Sequence, residues 1–310
     1  MPNWCANRLY ISGNEEQIRR VRDLMIGNVY PRVDVAIWQS IKLFLAGCAG
    51  LLQPTTDTAY EAHPALCYAG PGNDSPENRA FTQWLELLKQ NVELDVGTCA
   101  RIAQLYQSSG LDTVTWDELT DSMKAVITPI LHAKYHDWSG DYFGTQRSYA
   151  GFWTAAGGTD ERQVASPFDM RLLLPTRLAV ELNGFNGRFL EGVLSGYDFY
   201  TWHRYAIKWP VGTQLMLSTD EANFLAVDFD TPWCSPHDDV FTELSGRYQC
   251  NVEHYFSEAG GNFCGYRAYR AGEQTDSEDD SLEYGEEDEH GWSNVCSPEW
   301  ILDNVAHFGG

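Results

Sequence analysis

The apolar positions change period early in the chain. Leu9 and Ile11 alternate with Tyr10 and Ser12, as in a half-buried strand. After Gly13, Ile18, Val21 and Met25 fall at helical spacing behind Asn14 and Gln17, which hold capping-box positions. From about Asn28 the pattern is helix-rich: Ile37, Ile41, Phe44 and Cys48 predict one helix, and Phe81, Trp84, Leu85 and Leu88 another. Thr115 with Glu118 predicts the start of a third, running through Leu119, Met123, Val126 and Ile130 with a kink at Pro129. Between Trp138 and Gly196, glycine, serine, threonine and aromatics recur without a period, which predicts loops and short strands.

Regular alternation returns in TQLMLS from Thr213 and in NFLAVDFDT from Asn223, two strands joined by a turn containing Asp220 and Glu221. Thr231-Pro232-Trp233 ends the second strand. Ser235 before Pro236 then predicts a capped helix start, with Asp238 and Asp239 in the first turn and Val240, Phe241, Leu244 and Tyr248 as the apolar stripe. NVEHYFSEAGGNFCGYRAYRAG reads as strand, glycine-rich turn and strand. The resulting order, βα, a long insertion, then ββαβ, is that of a ferredoxin-like α+β fold: one antiparallel sheet with both helices on a single face. Residues 1–27 and 200–272 form the expected core, 28–199 an inserted helix-rich region, and 273–310 an acidic C-terminal segment. Such an insertion is tolerable because loop-closure entropy grows only with the logarithm of length.

Charge narrows the partners. The 310 residues carry a formal charge of -23, which disfavours nucleic acid and anionic membranes and favours basic protein surfaces. Ten of the carboxylates lie in EQTDSEDDSLEYGEEDEH, Glu273 to His290, without a lysine or arginine. Like charges in a block repel, so this run is expected to be a flexible, solvated loop or tail. Glu278, Asp279, Asp280, Glu286, Glu287, Asp288 and Glu289 are its candidate contacts with a basic partner. The eight cysteines include no CxxC and no pair closer than fourteen residues, so no zinc module is spelled out. MPNWCANRLY lacks a secretory pattern, and VAIWQSIKLFLAGCAGLL is broken by Gln39, Ser40 and Lys42. A buried helix, no membrane span and reduced cysteines in the cytoplasm are expected.

Four blocks in matching order resemble the Api-like ferredoxin-domain proteins of bacteriophages and plasmids: MPNWCANRLYISG, the tryptophans of TWHRYAIKWP, FDTPWCSP and YFSEAGGNFCGYRAYRAG. They span Met1 to about Met25 and Trp202 to about Gly272, whereas the insertion and the acidic run carry no resemblance. Where that family reads Trp-Gly-Thr-Lys-Trp this chain has Tyr205-Ala206-Ile207-Lys208-Trp209. Where it reads Thr-Ala-Trp-Ser-Pro-Pro this chain has Thr231-Pro232-Trp233-Cys234-Ser235-Pro236. Trp209 and Trp233 match while their neighbours differ. The resemblance implies a fold and a mobile-element origin, and it transfers no active site.

Three groups could carry chemistry. His132 and His136 share a helical face near Asp137 and Asp141, half of a zinc site by spacing, but the glutamate of HExxH is missing and an exposed pair is expected. Asp228 and Asp230 share one face of a strand, opposite Leu225, Val227 and Phe229, where they could hold a cation or act as acid and base; the sequence does not place His237 and His254, so the pair has no demonstrable partner and a polar exposed face is expected. Trp202, Lys208, Trp209 and Trp233 form an aromatic and basic group. Base stacking on the sheet is one use for it, yet the charge has the wrong sign and core packing is expected. The function expected is that of a non-catalytic, cofactor-free protein-binding factor, a counter-defence inhibitor of the anti-CRISPR or antirestriction type, with DNA mimicry as one form. An enzyme using Asp228 and Asp230 and a nucleic-acid-binding sheet are the alternatives.

Overall fold

Strand β1 (Trp4–Ser12) pairs along both edges, and the first of two units is assembled around it. The computed structural model describes residues 3–139, 146–157, 164–287, 290 and 293–310. The first unit comprises Met1–Val29, Val164–Leu174 and Tyr200–Gly310, and the second Tyr30–Gln163 and Pro175–Phe199.

In the first unit β1 leads into α1 (Glu15–Met25), whose Asn14–Gln17 capping box is fully formed. There follow β2 (Thr213–Asp220), β3 (Phe224–Pro232), α2 (Asp238–Tyr248), β4 (Asn251–Glu258), β5 (Phe263–Arg270) and β6 (Glu273–Asp280). The sheet order is β2-β3-β1-β4-β5-β6, with every neighbouring pair antiparallel. The first four positions of this order are ferredoxin-like, and β5 and β6 extend the sheet beyond β4. Leu9, Ile11, Val227, Phe229, Val252 and Phe256 are buried on the helical face with Ile18, Val21 and Leu24 of α1 and Val240, Phe241 and Leu244 of α2. The helix start lies two residues later than Ser235-Pro236 suggests, because the His237 ring rather than the Ser235 hydroxyl accepts from the Asp239 N–H.

The acidic run departs most from expectation: residues 273–280 are a strand, not a tail. Ala271 at φ 51° and Gly272 at φ 83° turn the chain with two left-handed residues, the conformation that suits a tight hairpin, and pair Arg270 with Glu273. All eight β6 residues are exposed, so pairing with β5 satisfies the inner side of the backbone while the carboxylates stay in water.

Helices Arg32–Cys48, Pro76–Lys89, Val96–Ser108, Asp121–Ser139 and Tyr149–Gly157 dominate the second unit. The last of these occupies sequence expected to form loops and short strands. Thr115 and Glu118 do bond as a capping pair, but they close a turn, and the helix begins at Asp121 and continues through Pro129. Its buried side runs through Ile127, Leu131, Tyr135 and Trp138, one position away from the expected stripe, which leaves Val126 exposed. Arg32–Cys48 buries Ser40 and Lys42: Ser40 accepts from the Trp84 indole at 3.1 Å, and Lys42 Nζ lies 4.8 Å from the Trp153 ring. Among the described residues no helix is long and apolar enough to cross a membrane.

One core residue makes stability depend on pH. The His254 ring lies 4.1 Å from Phe241 and meets Asn7 Oδ1 at 3.0 Å, and burial, with Arg267 nearby, depresses its pKa to about 3. Below about pH 6.5 the unfolded chain gains a proton that the folded imidazole does not accept, so stability is lost as pH falls, by at most about 1.4 kcal/mol per pH unit down to the folded pKa. Urea unfolding at about pH 6.5 and about pH 5 should show the native chain losing up to about 2 kcal/mol more than His254→Gln. Equal losses would rule out this proton as the cause.

Candidate functional site

Asp228 and Asp230 share the face opposite the helices, as their spacing requires, but around them that face is not open to water. The C-terminal segment, including α3 (Glu299–Leu302), lies over it, and the two carboxylates are 5% and 7% exposed. Arg8 holds Asp228 through two bonds, Nε to Oδ1 at 2.6 Å and Nη2 to Oδ2 at 3.1 Å, and donates from Nη1 to the Asp303 carbonyl at 3.0 Å. The Tyr10 hydroxyl meets Asn304 Oδ1 at 3.1 Å, and His307 Nε2 lies 2.9 Å from Asp230 Oδ1. Hydrogen bonding to Asp228 raises the Arg8 pKa; burial raises that of Asp230 against the pull of His307. Neither His237 nor His254 is the partner: the first caps α2 and the second is a core residue. No group of three or more metal-ligating side chains occurs among the described residues.

The tryptophans are not core residues either. Trp202 lies on the π-helical turn Phe199–Arg204 and is 69% exposed; Trp233 is 37% exposed. Lys208 Nζ sits 4.6 Å from the Trp209 ring centroid and 5.6 Å from that of Trp233, and Trp209 packs on Trp4 at 6.2 Å. Trp233 has φ 77°, an uncommon conformation for a bulky residue. Surrounding bonds impose it: the Trp233 N–H donates to Asn3 at 2.9 Å, Thr231 Oγ1 donates to the Cys234 carbonyl at 2.7 Å, and the Cys234 thiol donates to the Ala206 carbonyl at 2.9 Å. Strain of this kind is held at about 1–3 kcal/mol and is frequent at ligand contacts.

His132 and His136 are exposed on their helix, while Asp137 engages Lys134 and Asn186; Asp141 lies outside the described residues. Glu278, Asp279 and Asp280 belong to β6, and Glu286 and Glu287 are exposed beyond it. Asp288 and Glu289 lie outside the described residues. Sequence reasoning missed the ring row on the second face of the sheet: Phe224, Tyr10, Tyr255 and Tyr266, on β3, β1, β4 and β5, follow one another at 5.9, 5.8 and 4.7 Å. The parity of Tyr10 against Leu9 and Ile11 was the available signal. Apolar Ile301, Val305 and Phe308 likewise marked the cover, which packs with Leu282 and Cys264.

Comparison with known proteins places these features. Residues 30–209 match the family described as "Protein of unknown function (DUF1281)", so the helix-rich stretch without a resemblance of its own has relatives. Residues 213–295 match the "Ferredoxin-like domain in Api92-like protein". The crystal structure of api92 from Yersinia pseudotuberculosis is similar with a TM-score of 0.85 at 34% identity, covering 91% of this chain and 99% of that one. YubB of Escherichia coli K12 is 48% identical over 145 residues, 46% of this chain and 99% of its own length. YubA of the same strain is 45% identical over 138 residues, 44% of this chain and 82% of its own length.

The Asp228 geometry is that of a structural ion pair. Arg8→Met leaves an uncompensated buried carboxylate and should destabilise the protein by about 3 kcal/mol in denaturant titrations. Adding magnesium, manganese or zinc ions should move the melting temperature by less than about 1 °C, since a cation bound to the native state alone would raise it.

Proposed function

This chain belongs to the DUF1281 family of Api92-like proteins, and from that premise we propose that it is a non-catalytic protein-binding factor of a phage or plasmid. In this reading it is a counter-defence inhibitor of the anti-CRISPR or antirestriction type, acting in the host cytoplasm on a defence or DNA-processing protein. The observation that carries the reading is β6, an acidic segment ordered as the outer edge of a sheet. A flexible acidic tail would lose conformational entropy on binding; a strand has already been ordered by folding. The overall charge of -23 adds attraction towards proteins that normally grip nucleic acid.

Carboxylates at alternate strand positions are about 6.8 Å apart, and one DNA strand advances about 3.4 Å per phosphate. β6 therefore presents about half the linear charge density of a DNA strand on one face, which supports recognition of a basic surface and, in its stronger form, occupation of a DNA-binding groove. The strained Trp233 beside Lys208 and Trp209 supports a second, aromatic contact.

Phage plating on hosts carrying a restriction or CRISPR system tests the proposal. Expression of the chain should raise the efficiency of plating about a hundredfold or more in at least one system. The variant D276N/E278Q/D280N should lose most of that gain, because screened charge contacts govern both encounter and affinity. Unchanged plating across a panel of such hosts, with soluble and folded protein present, would count decisively against it. In the mimicry form, partner affinity should fall steeply with salt and duplex DNA should compete.

A further inference from the structure

The face of the sheet turned away from α1 and α2 combines rings and carboxylates in register. One row across it runs Arg8, Tyr255, Tyr266, Glu278 on β1, β4, β5 and β6, and the next runs Tyr10, Glu253, Ala268, Asp276. Arg270 and Glu273 pair in a third row, and Cys264 and Asp280 in a fourth. Tyr10, Tyr255 and Tyr266 are half-buried, with ring centroids 5.8 and 4.7 Å apart, and the C-terminal cover reaches this row at Trp300, 6.5 Å from Tyr255. Tyr266 lies beyond that contact, between Tyr255 and the exposed Glu278. Its hydroxyl is held above its ordinary pKa by burial and then by Glu253 and Asp276, against the smaller opposing pull of Arg270, so both carboxylates and that one cation lie in its field.

We infer that the β5–β6 end of this face, where Tyr266 and Glu253 adjoin the exposed Asp276, Glu278 and Asp280 beyond the contact with Trp300, is a docking surface for an extended, arginine-rich segment of a partner protein. The inference rests on the protein-binding reading above and adds where the partner sits and which side chains it brings. A guanidinium satisfies both halves of the surface at once: its flat face stacks on a tyrosine ring while its edge bonds a carboxylate through two N–H groups. The compact ammonium of lysine matches the charge but not the stacking geometry. An extended segment repeats side chains on one face every ~6.8 Å, the spacing of Asp276, Glu278 and Asp280 along β6. A polyanion would meet β6 as like charge, and a purely apolar partner would bury its carboxylates unpaired. A second copy of this chain would bring the same charges to the contact.

Isothermal titration calorimetry on the full chain tests this with a synthetic nine-residue peptide carrying arginine at alternate positions, its lysine counterpart, and a single-stranded oligonucleotide. The arginine peptide should bind about tenfold more tightly than the lysine peptide. D276N/E278Q/D280N should weaken it about tenfold or more, whereas E15Q/E221Q/D239N, which removes as much charge elsewhere on the same unit, should change affinity less than about threefold. Tyr266→Leu keeps the bulk but removes the π face, and should cut the arginine preference to about threefold or less, the remainder being the paired N–H bonds to carboxylate. Circular dichroism and melting temperature verify the fold of each variant.

Equal losses in the two charge variants, an undiminished arginine preference in Tyr266→Leu, or tighter binding of the oligonucleotide than of the peptide would each overturn the inference. Protection in the plating assay without a site-specific peptide response would overturn this docking surface alone. Site-specific peptide binding without protection in any host would support it while removing the counter-defence reading.

Discussion

The pairing of β1 on both edges is the constraint from which the first unit follows. Asn7 sits opposite Phe229 on one side and Phe256 on the other, so a strand at the start of the chain completes its hydrogen bonding only with residues more than two hundred positions away. The Asn7 side chain reinforces the junction. Its amide donates to the Cys5 carbonyl at 2.9 Å and to Thr231 Oγ1 at 2.8 Å, while its oxygen meets the His254 ring. A buried amide of this kind ties three strands and becomes costly if any one of them is absent. The intervening helices bury their own core, so the separation along the chain costs less than a disordered loop of equal length.

The two faces of the sheet are stabilised by different means. The helical face is apolar, with the neutral His254 ring packed between Phe241 and Phe256. The second face places Asp228 and Asp230 two residues apart, an arrangement that like-charge repulsion would oppose in a dry environment without compensation. Arg8 meets one and His307 the other, and Arg8 also bonds the Asp303 carbonyl. The same carboxylates that suggested a catalytic pair therefore fasten the C-terminal cover to the sheet.

Legibility followed the range of the interaction. The capping box at Asn14, the β2–β3 hairpin and the parity of Asp228 and Asp230 are set by neighbours within a few residues, and the sequence displayed them. The helix at Tyr149–Gly157 has a weak stripe and is stabilised by contacts such as Trp153 on Val114 and Phe152 on Trp38, which no local period reveals. The helix face at Ile127 and Leu131 was displaced by one position because Lys134 is buried there beside Asp137 and the Asn183 carbonyl, and a lysine does not count as an apolar mark. The state of β6 was hidden for the opposite reason. Its composition argues for disorder, and the determinant is the free edge of β5 together with a two-residue turn.

Charge on an edge strand has an ordinary purpose, since it prevents sheets from joining edge to edge. That purpose does not explain how the charge of β6 is divided between its faces. On the helical side Asp279 lies 2.7 Å from Arg267, whose Nε is also 3.7 Å from Asp238, so negative charge there is met within the unit. On the other side Glu273, Asp276, Glu278 and Asp280 are all exposed, with Arg270 opposite Glu273 and the tyrosine row beyond. Protection of an edge would be served by charge on either face. An excess directed to the face that also carries the rings is the pattern expected of a surface that recognises a cation.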